Sequence, residues 1–110
     1  MVNMVSRPRF SIIYAPQVKR HLRAVEPKYY SLIRKEIETQ LQFEPGVETR
    51  NRKPLKPPSA LEGEWELRFG PGNRFRAFYE IDREKREVHI LAIGVKHGSL
   101  LIIGGEEVEL

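Results

Sequence analysis

Trp65, Leu67 and Phe69 alternate with Glu64, Glu66 and Arg68; Gly70-Pro71-Gly72-Asn73 follows; then Phe75, Ala77, Tyr79 and Ile81 alternate with Arg74, Arg76, Phe78 and Glu80. A period of two on both sides of a glycine- and proline-rich turn specifies a β-hairpin with one apolar and one polar face. Two strands cannot bury such a face by themselves, so the rest of the chain must supply a cover.

Two amphipathic helices upstream fit that need. Arg9–Tyr14 sets Phe10, Ile12 and Tyr14 against shorter or polar neighbours and reads as a first strand. Ala15-Pro16 stops it, and Pro16 suits the first turn of a helix in which Val18, Leu22 and Val25 recur at helical spacing. Glu26-Pro27 breaks that helix and begins a second, to about Phe43, with the stripe Tyr30, Ile33, Ile37 and Leu41. Phe43-Glu44-Pro45-Gly46 ends it. The stretch that follows, to Ala60, has no period and holds Arg50, Arg52, Lys53 and Lys56, as expected of a basic surface loop.

Beyond the hairpin, a turn at Asp82–Lys85 leads to Glu87–Val95, which is apolar on both faces like a strand central to its sheet. Leu100–Ile103 is either an edge strand or loose, and residues 104–110 read as a loose acidic tail. The order strand, helix, helix, strand, strand, strand predicts an α+β fold. An N-terminal strand and helical hairpin pack on one face of a small, mainly antiparallel sheet of three to four strands, and the other face is a shallow groove. Alternation puts Glu66, Arg68, Arg74, Arg76 and Phe78 on that groove. With Leu91, Ile93 and Val95 turned to the helices, Ala92, Gly94 and Lys96 join it.

Composition narrows the partners. A chain of 110 residues has apolar surface for one core, so residues 1–110 are expected to form a single domain with its core over about 8–97. There is no cysteine, which excludes disulfides and thiolate metal sites and suits a reducing cytoplasm. His21, His89 and His97 lack metal-ligand spacing, so no metal is expected, and His21 and His89 read as structural or surface residues. No apolar run approaches the roughly 18 residues of a membrane span, and no membrane association is expected. Residues 1–103 hold all 19 basic residues and 12 of the 15 acidic ones, a balance of +7 that favours polyanionic partners.

Leu61-Glu62-Gly63-Glu64-Trp65-Glu66-Leu67-Arg68, Asn73-Arg74-Phe75-Arg76-Ala77-Phe78-Tyr79-Glu80-Ile81-Asp82 and Val88-His89-Ile90-Leu91-Ala92-Ile93-Gly94-Val95-Lys96-His97 together resemble the RelE/ParE superfamily of bacterial toxin–antitoxin systems. With the helical hairpin, the resemblance covers nearly the whole chain except the first few residues and the tail. It implies a toxin neutralised by a cognate antitoxin protein. For a RelE-like member it implies a metal-independent endoribonuclease, without a cofactor, that cleaves mRNA on the ribosome by attack of a ribose 2′-hydroxyl on the adjacent phosphate. For a ParE-like member it implies a DNA gyrase inhibitor with no chemistry of its own. A degenerate member would bind its antitoxin and do nothing more.

The RelE-like chemistry needs a base, an acid and cations for the phosphorane charge. By resemblance, Arg76 takes the phosphate role, Arg68 falls near the family's basic pair, and Lys96 occupies the family's basic position after the Ile-Gly stretch. His97, beside it, is either a loop histidine or the acid or base, since imidazole titrates near neutral pH. RelE itself carries a C-terminal tyrosine that residues 98–103 lack, and resemblance to relatives that use a glutamate with a histidine makes Glu66 with His97 a candidate substitute pair. Arg50, Arg52, Lys53, Lys56 and Arg74 are candidate RNA contacts. Phe78 either stacks on a base or lies under the C-terminal tail.

Overall fold

The computed structural model describes residues 8–56 and 63–108. In chain order they form β1 (Ser11–Tyr14), α1 (Val18–Arg23), a 3-10 turn (Pro27–Tyr29) continuous with α2 (Tyr30–Leu41), β2 (Arg52–Pro54), β3 (Trp65–Phe69), β4 (Phe75–Asp82), β5 (Glu87–His97), β6 (Leu100–Ile103) and β7 (Glu106–Val108). β2 to β7 pair in sequence order, each antiparallel to the next, and β1 runs parallel to the first half of β5. The architecture is the expected α+β one, on a sheet of seven strands instead of three to four. The additional strands are short segments without a periodic signal of their own that pair onto a neighbour already in place.

The predicted hairpin sets the core. Leu67, Phe69, Phe75, Ala77 and Tyr79 point to one face and meet Val18, Val25, Ile33, Ile37 and Leu41 of the helices. Tyr79 is fully buried and donates its hydroxyl hydrogen to the Pro45 carbonyl at 2.7 Å, while Trp65, half-buried, stacks on its ring. Burial raises the Tyr79 hydroxyl pKa far above its ordinary value, so this donor stays protonated at any physiological pH. Two apolar residues depart from the helical and strand patterns: Tyr14 and Tyr30 are more than one-third exposed.

The acidic tail is a strand through Val108. Gly104 and Gly105 have φ of 61° and 82°, the two positive values that a two-residue type I′ hairpin turn requires. Ile103 then pairs with Glu106 and Leu101 with Val108. Burial on both sides of β5 has a local cause. Phe78 pairs with Ala92 but Tyr79 pairs with Ile90, so Leu91 is a bulge residue with no partner on β4. The bulge moves the inward phase from Val88 and Ile90 to Ile93 and Val95. Leu91, expected to face the helices with those two, is only partly buried and lies outside the core cluster.

On the other edge of β5 the neighbour changes from β1, over residues 87–90, to β6, over residues 94–97. The main-chain groups in that gap need partners, and α1 provides them. Gln17 Nε2 donates to the Leu91 carbonyl at 3.1 Å, and His21 Nδ1 accepts from the Ile93 N–H at 3.2 Å. Gln17 and His21 lie four residues apart and therefore share the helix side that faces the sheet. His21 is 5% exposed, and burial, with Arg20 beside it, holds its pKa below the ordinary imidazole value.

Only neutral imidazole can accept the Ile93 hydrogen. The unfolded chain takes up this proton near pH 6.5 and the folded one only at lower pH. The contribution is therefore fully present above about pH 6.5 and lost as pH falls through the folded-state value. The urea midpoint is expected to drop between pH 7 and 5 in wild type. His21→Ala should be less stable at pH 7 by about 1–3 kcal/mol, the cost of an unpaired buried N–H, and show a shallower pH slope. Equal slopes would remove His21 from this role.

Candidate functional site

The sheet face away from the helices carries the charged residues of the hairpin. Cross-strand pairing sorts it into rows: Lys53, Glu66, Phe78 and Ala92; then Arg68, Arg76, Gly94, Ile103 and Glu106; then Lys96, Leu101 and Val108. Its floor is apolar rather than open. Phe78 is fully buried under Ala92, Leu101, Leu55 and Ile103, which form a second small core. Its ring therefore offers no surface for base stacking, and of the two readings the cover by the C-terminal strands is the one observed. Gly94 is what lets β6 close over it, since a Cβ there would lie 2.9 Å from Ile103 and 3.0 Å from Leu101.

Beside this floor stands an ion-pair triad, buried in two of its three members. Arg68 and Arg76 are directly opposed on β3 and β4, and Glu66 lies one row away on the same face. Arg68 Nε donates to Glu66 Oε1 at 2.7 Å, and Arg76 Nη1 donates to Glu66 Oε2 at 3.4 Å. The Glu66 and Arg76 side chains are 4% and 8% exposed, whereas that of Arg68 is 43% exposed. Arg76 Nε also donates to the Asn73 carbonyl, which ties the guanidinium to the β3–β4 turn. Asn51 fixes Arg68 from the other side: its carbonyl accepts the Arg68 N–H and its Nδ2 donates to the Arg68 carbonyl. Neither asparagine was evident as a site residue in the sequence, where Asn73 reads as part of a turn and Asn51 falls in the basic loop.

Glu66 and His97 are not brought together as an acid–base pair. Both Glu66 oxygens are engaged by arginines. His97 is exposed and, by alternation from Ala92, projects from the opposite face of β5 to Lys96. Lys96 is partly exposed on the arginine side, and its N–H donates to the Arg74 carbonyl. Arg74 precedes β4 in helical conformation, and its guanidinium lies 5.4 Å from the ring centroids of both Tyr29 and Phe75, at the helix side of the sheet end instead of in the groove. Cation–π contact with two rings holds it there.

The basic loop divides in the same way. Arg52 pairs with Leu67, whose side chain faces the helices, and it donates to the carbonyls of Val47 and Gln40. It ties β2 to the end of α2 and is withdrawn from the groove. Lys53 pairs with Glu66 and also meets Glu48 at 3.4 Å, and Arg50 and Lys56 are exposed on the loop. Among the described residues no group of acidic or histidine side chains could hold a metal ion. No helix among them is long and apolar enough to cross a membrane.

A second concave feature lies on the helix side, where Tyr14, Ala15, Pro16, Val18, Leu22, Tyr30, Ile33 and Ile93 line an apolar cleft of 380 Å³ with Lys19 and Arg34 at its margin. Tyr30 donates its hydroxyl hydrogen to the Leu22 carbonyl across it. Burial and Glu38 raise the Tyr14 hydroxyl pKa.

The family model for the ParE toxin of the type II toxin–antitoxin system parDE matches residues 12–98. The chain belongs to this toxin family. Among solved structures, it is similar to a chain of the toxin–antitoxin complex RelBE2 from Mycobacterium tuberculosis, with 25% identity, a TM-score of 0.65 and coverage of 80% of this chain and 92% of that one. Comparison with curated proteins gave no significant match. Family and fold together place the chain in the RelE/ParE superfamily that the three strand motifs resemble.

Proposed function

We propose that this toxin acts on RNA, holding a phosphodiester against the groove face and promoting attack of the adjacent 2′-hydroxyl, and that an antitoxin neutralises it. The paired guanidinium groups of Arg68 and Arg76 carry the reading. Two fixed cations on one face match the charge that grows on a phosphorane, and Lys96 and Lys53 widen the positive surface. No acid–base pair stands beside them among the described residues. The same gap favours a second reading, a ParE-like gyrase inhibitor without chemistry, which the name of the matching family also supports.

We assign the antitoxin's apolar contact to the cleft at Tyr14 and Tyr30, whose basic margin suits an acidic segment. That the RelBE2 neighbour is a toxin–antitoxin complex supports an antitoxin as the partner. Induced expression of the wild type should stop protein synthesis within minutes and yield new mRNA 5′ ends, with plasmid supercoiling unchanged. Co-expression of a cognate antitoxin should restore growth, and Tyr14→Asp should weaken its co-purification at least tenfold without changing the melting temperature. Altered supercoiling with intact mRNA would transfer the assignment to gyrase.

A further inference from the structure

We infer that Glu66 is a positioning residue that aims Arg68 at the phosphodiester, and is not the base of the reaction; the inference rests on the RNA reading above. Arg68 and Arg76 are directly opposed across β3 and β4. Like charges in that relation repel and, left alone, turn away from each other into water. The Glu66 carboxylate accepts one N–H from each and removes that freedom.

The two arginines differ in what this leaves them. Arg76 gives Nε to the Asn73 carbonyl and Nη1 to Glu66, and its side chain is 8% exposed, so it serves as a fixed post. Among the described residues Arg68 gives Nε to Glu66, and its side chain is 43% exposed. A guanidinium held through Nε presents its terminal nitrogens outward in a fixed plane, the geometry for bidentate recognition of a phosphate. Burying a carboxylate to achieve this is a poor way to gain stability, since apolar residues of similar volume commonly do as well or better. The return is orientation: the triad keeps a net positive charge and its exposed member cannot wander.

The two roles for Glu66 predict opposite signs. Removing a negative charge from a polyanion-binding face strengthens binding if only charge matters. If Glu66 positions Arg68, its removal weakens binding despite the gain in charge. The experiment measures the affinity of a fluorescent single-stranded RNA oligonucleotide for wild type, Glu66→Gln, Glu66→Asp, Arg68→Ala and the Glu66→Gln/Arg68→Ala double variant, across a salt series, with melting recorded for each.

Glu66→Gln and Arg68→Ala are each expected to weaken binding about five- to tenfold at physiological salt and to lower the salt slope by about one contact. In the Arg68→Ala background Glu66→Gln should add nothing, because its effect runs through Arg68. Glu66→Asp retains the charge but is too short to reach both arginines, and it should weaken binding as well; it provides the measurement if Glu66→Gln folds poorly. Should wild type bind RNA while Glu66→Gln binds as tightly or more tightly, the inference fails alone. Additive effects in the double variant also overturn it. Wild type that binds no RNA overturns the RNA reading and the inference together.

Discussion

Arg76→Ala is expected to abolish growth inhibition and, at the same time, to destabilise the fold. The Arg76 side chain is 8% exposed and bonded to Glu66 and to the Asn73 carbonyl, so its loss leaves a buried carboxylate with one partner instead of two. Breaking a buried pair from one side typically costs about 3–5 kcal/mol, and Arg68, still 2.7 Å from Glu66, holds the value toward the lower end, about 3 kcal/mol. In function, Arg76 is the post that holds Glu66 and, through it, Arg68, and losing a fixed donor set against developing charge lowers a rate by about 10²–10³. The two effects are separable. Glu66→Gln/Arg76→Met removes both charges and fills the volume, so it should recover most of the stability while staying non-toxic. Colony counts on inducer, mapped mRNA 5′ ends and urea midpoints measured side by side test this. A double variant as toxic as wild type would remove the triad from the site.

The sequence made the large elements plain because each has enough length to show its period. Trp65–Phe69 and Phe75–Ile81 alternate for five and seven residues, and the helices repeat Val18, Leu22 and Val25, then Ile33, Ile37 and Leu41, so the faces of the core follow directly. β2 and β7 have three residues each and no period to read; pairing with a neighbour creates them. Gly104-Gly105 between two short runs is nonetheless a two-residue hairpin signal. The groove was only partly legible. Alternation put Arg68, Arg76, Glu66 and Phe78 on one face, which the cross-strand register bears out. It could not say that Glu66 would be spent on two arginines, that Arg74 would stop short of the strand and lie on Tyr29, or that Arg52 would bond to the end of α2. Those outcomes depend on distances between segments far apart in sequence. The same holds for His21, whose partner Ile93 is 72 residues away.

Phe78→Ala should be among the most damaging single changes in the protein, although the sequence places Phe78 on the polar face of its strand. Its side chain is 0% exposed and is enclosed by Ala92, Leu101, Leu55 and Ile103. Truncating a buried phenylalanine costs about 3–5 kcal/mol, from lost transfer free energy and from the cavity left behind. For a domain of this size that corresponds to a fall of roughly 10–25 °C in melting temperature. The loss should be local at first. β6 is held over Phe78 by Leu101 and Ile103 and carries β7 with it, so amide hydrogens of residues 100–108 should exchange faster before the helix-covered core does. Phe78→Leu fills much of the space and should cost about 1 kcal/mol, with RNA affinity unchanged, because no face of the ring is open to a base. A stacking residue gives the reverse result. Phe78→Ala would then lose about 1–3 kcal/mol of RNA binding with little change in melting, and Phe78→Leu would lose nearly as much. Thermal melts and RNA titrations on the two variants therefore distinguish a residue that supports the floor of the groove from one that reads its ligand.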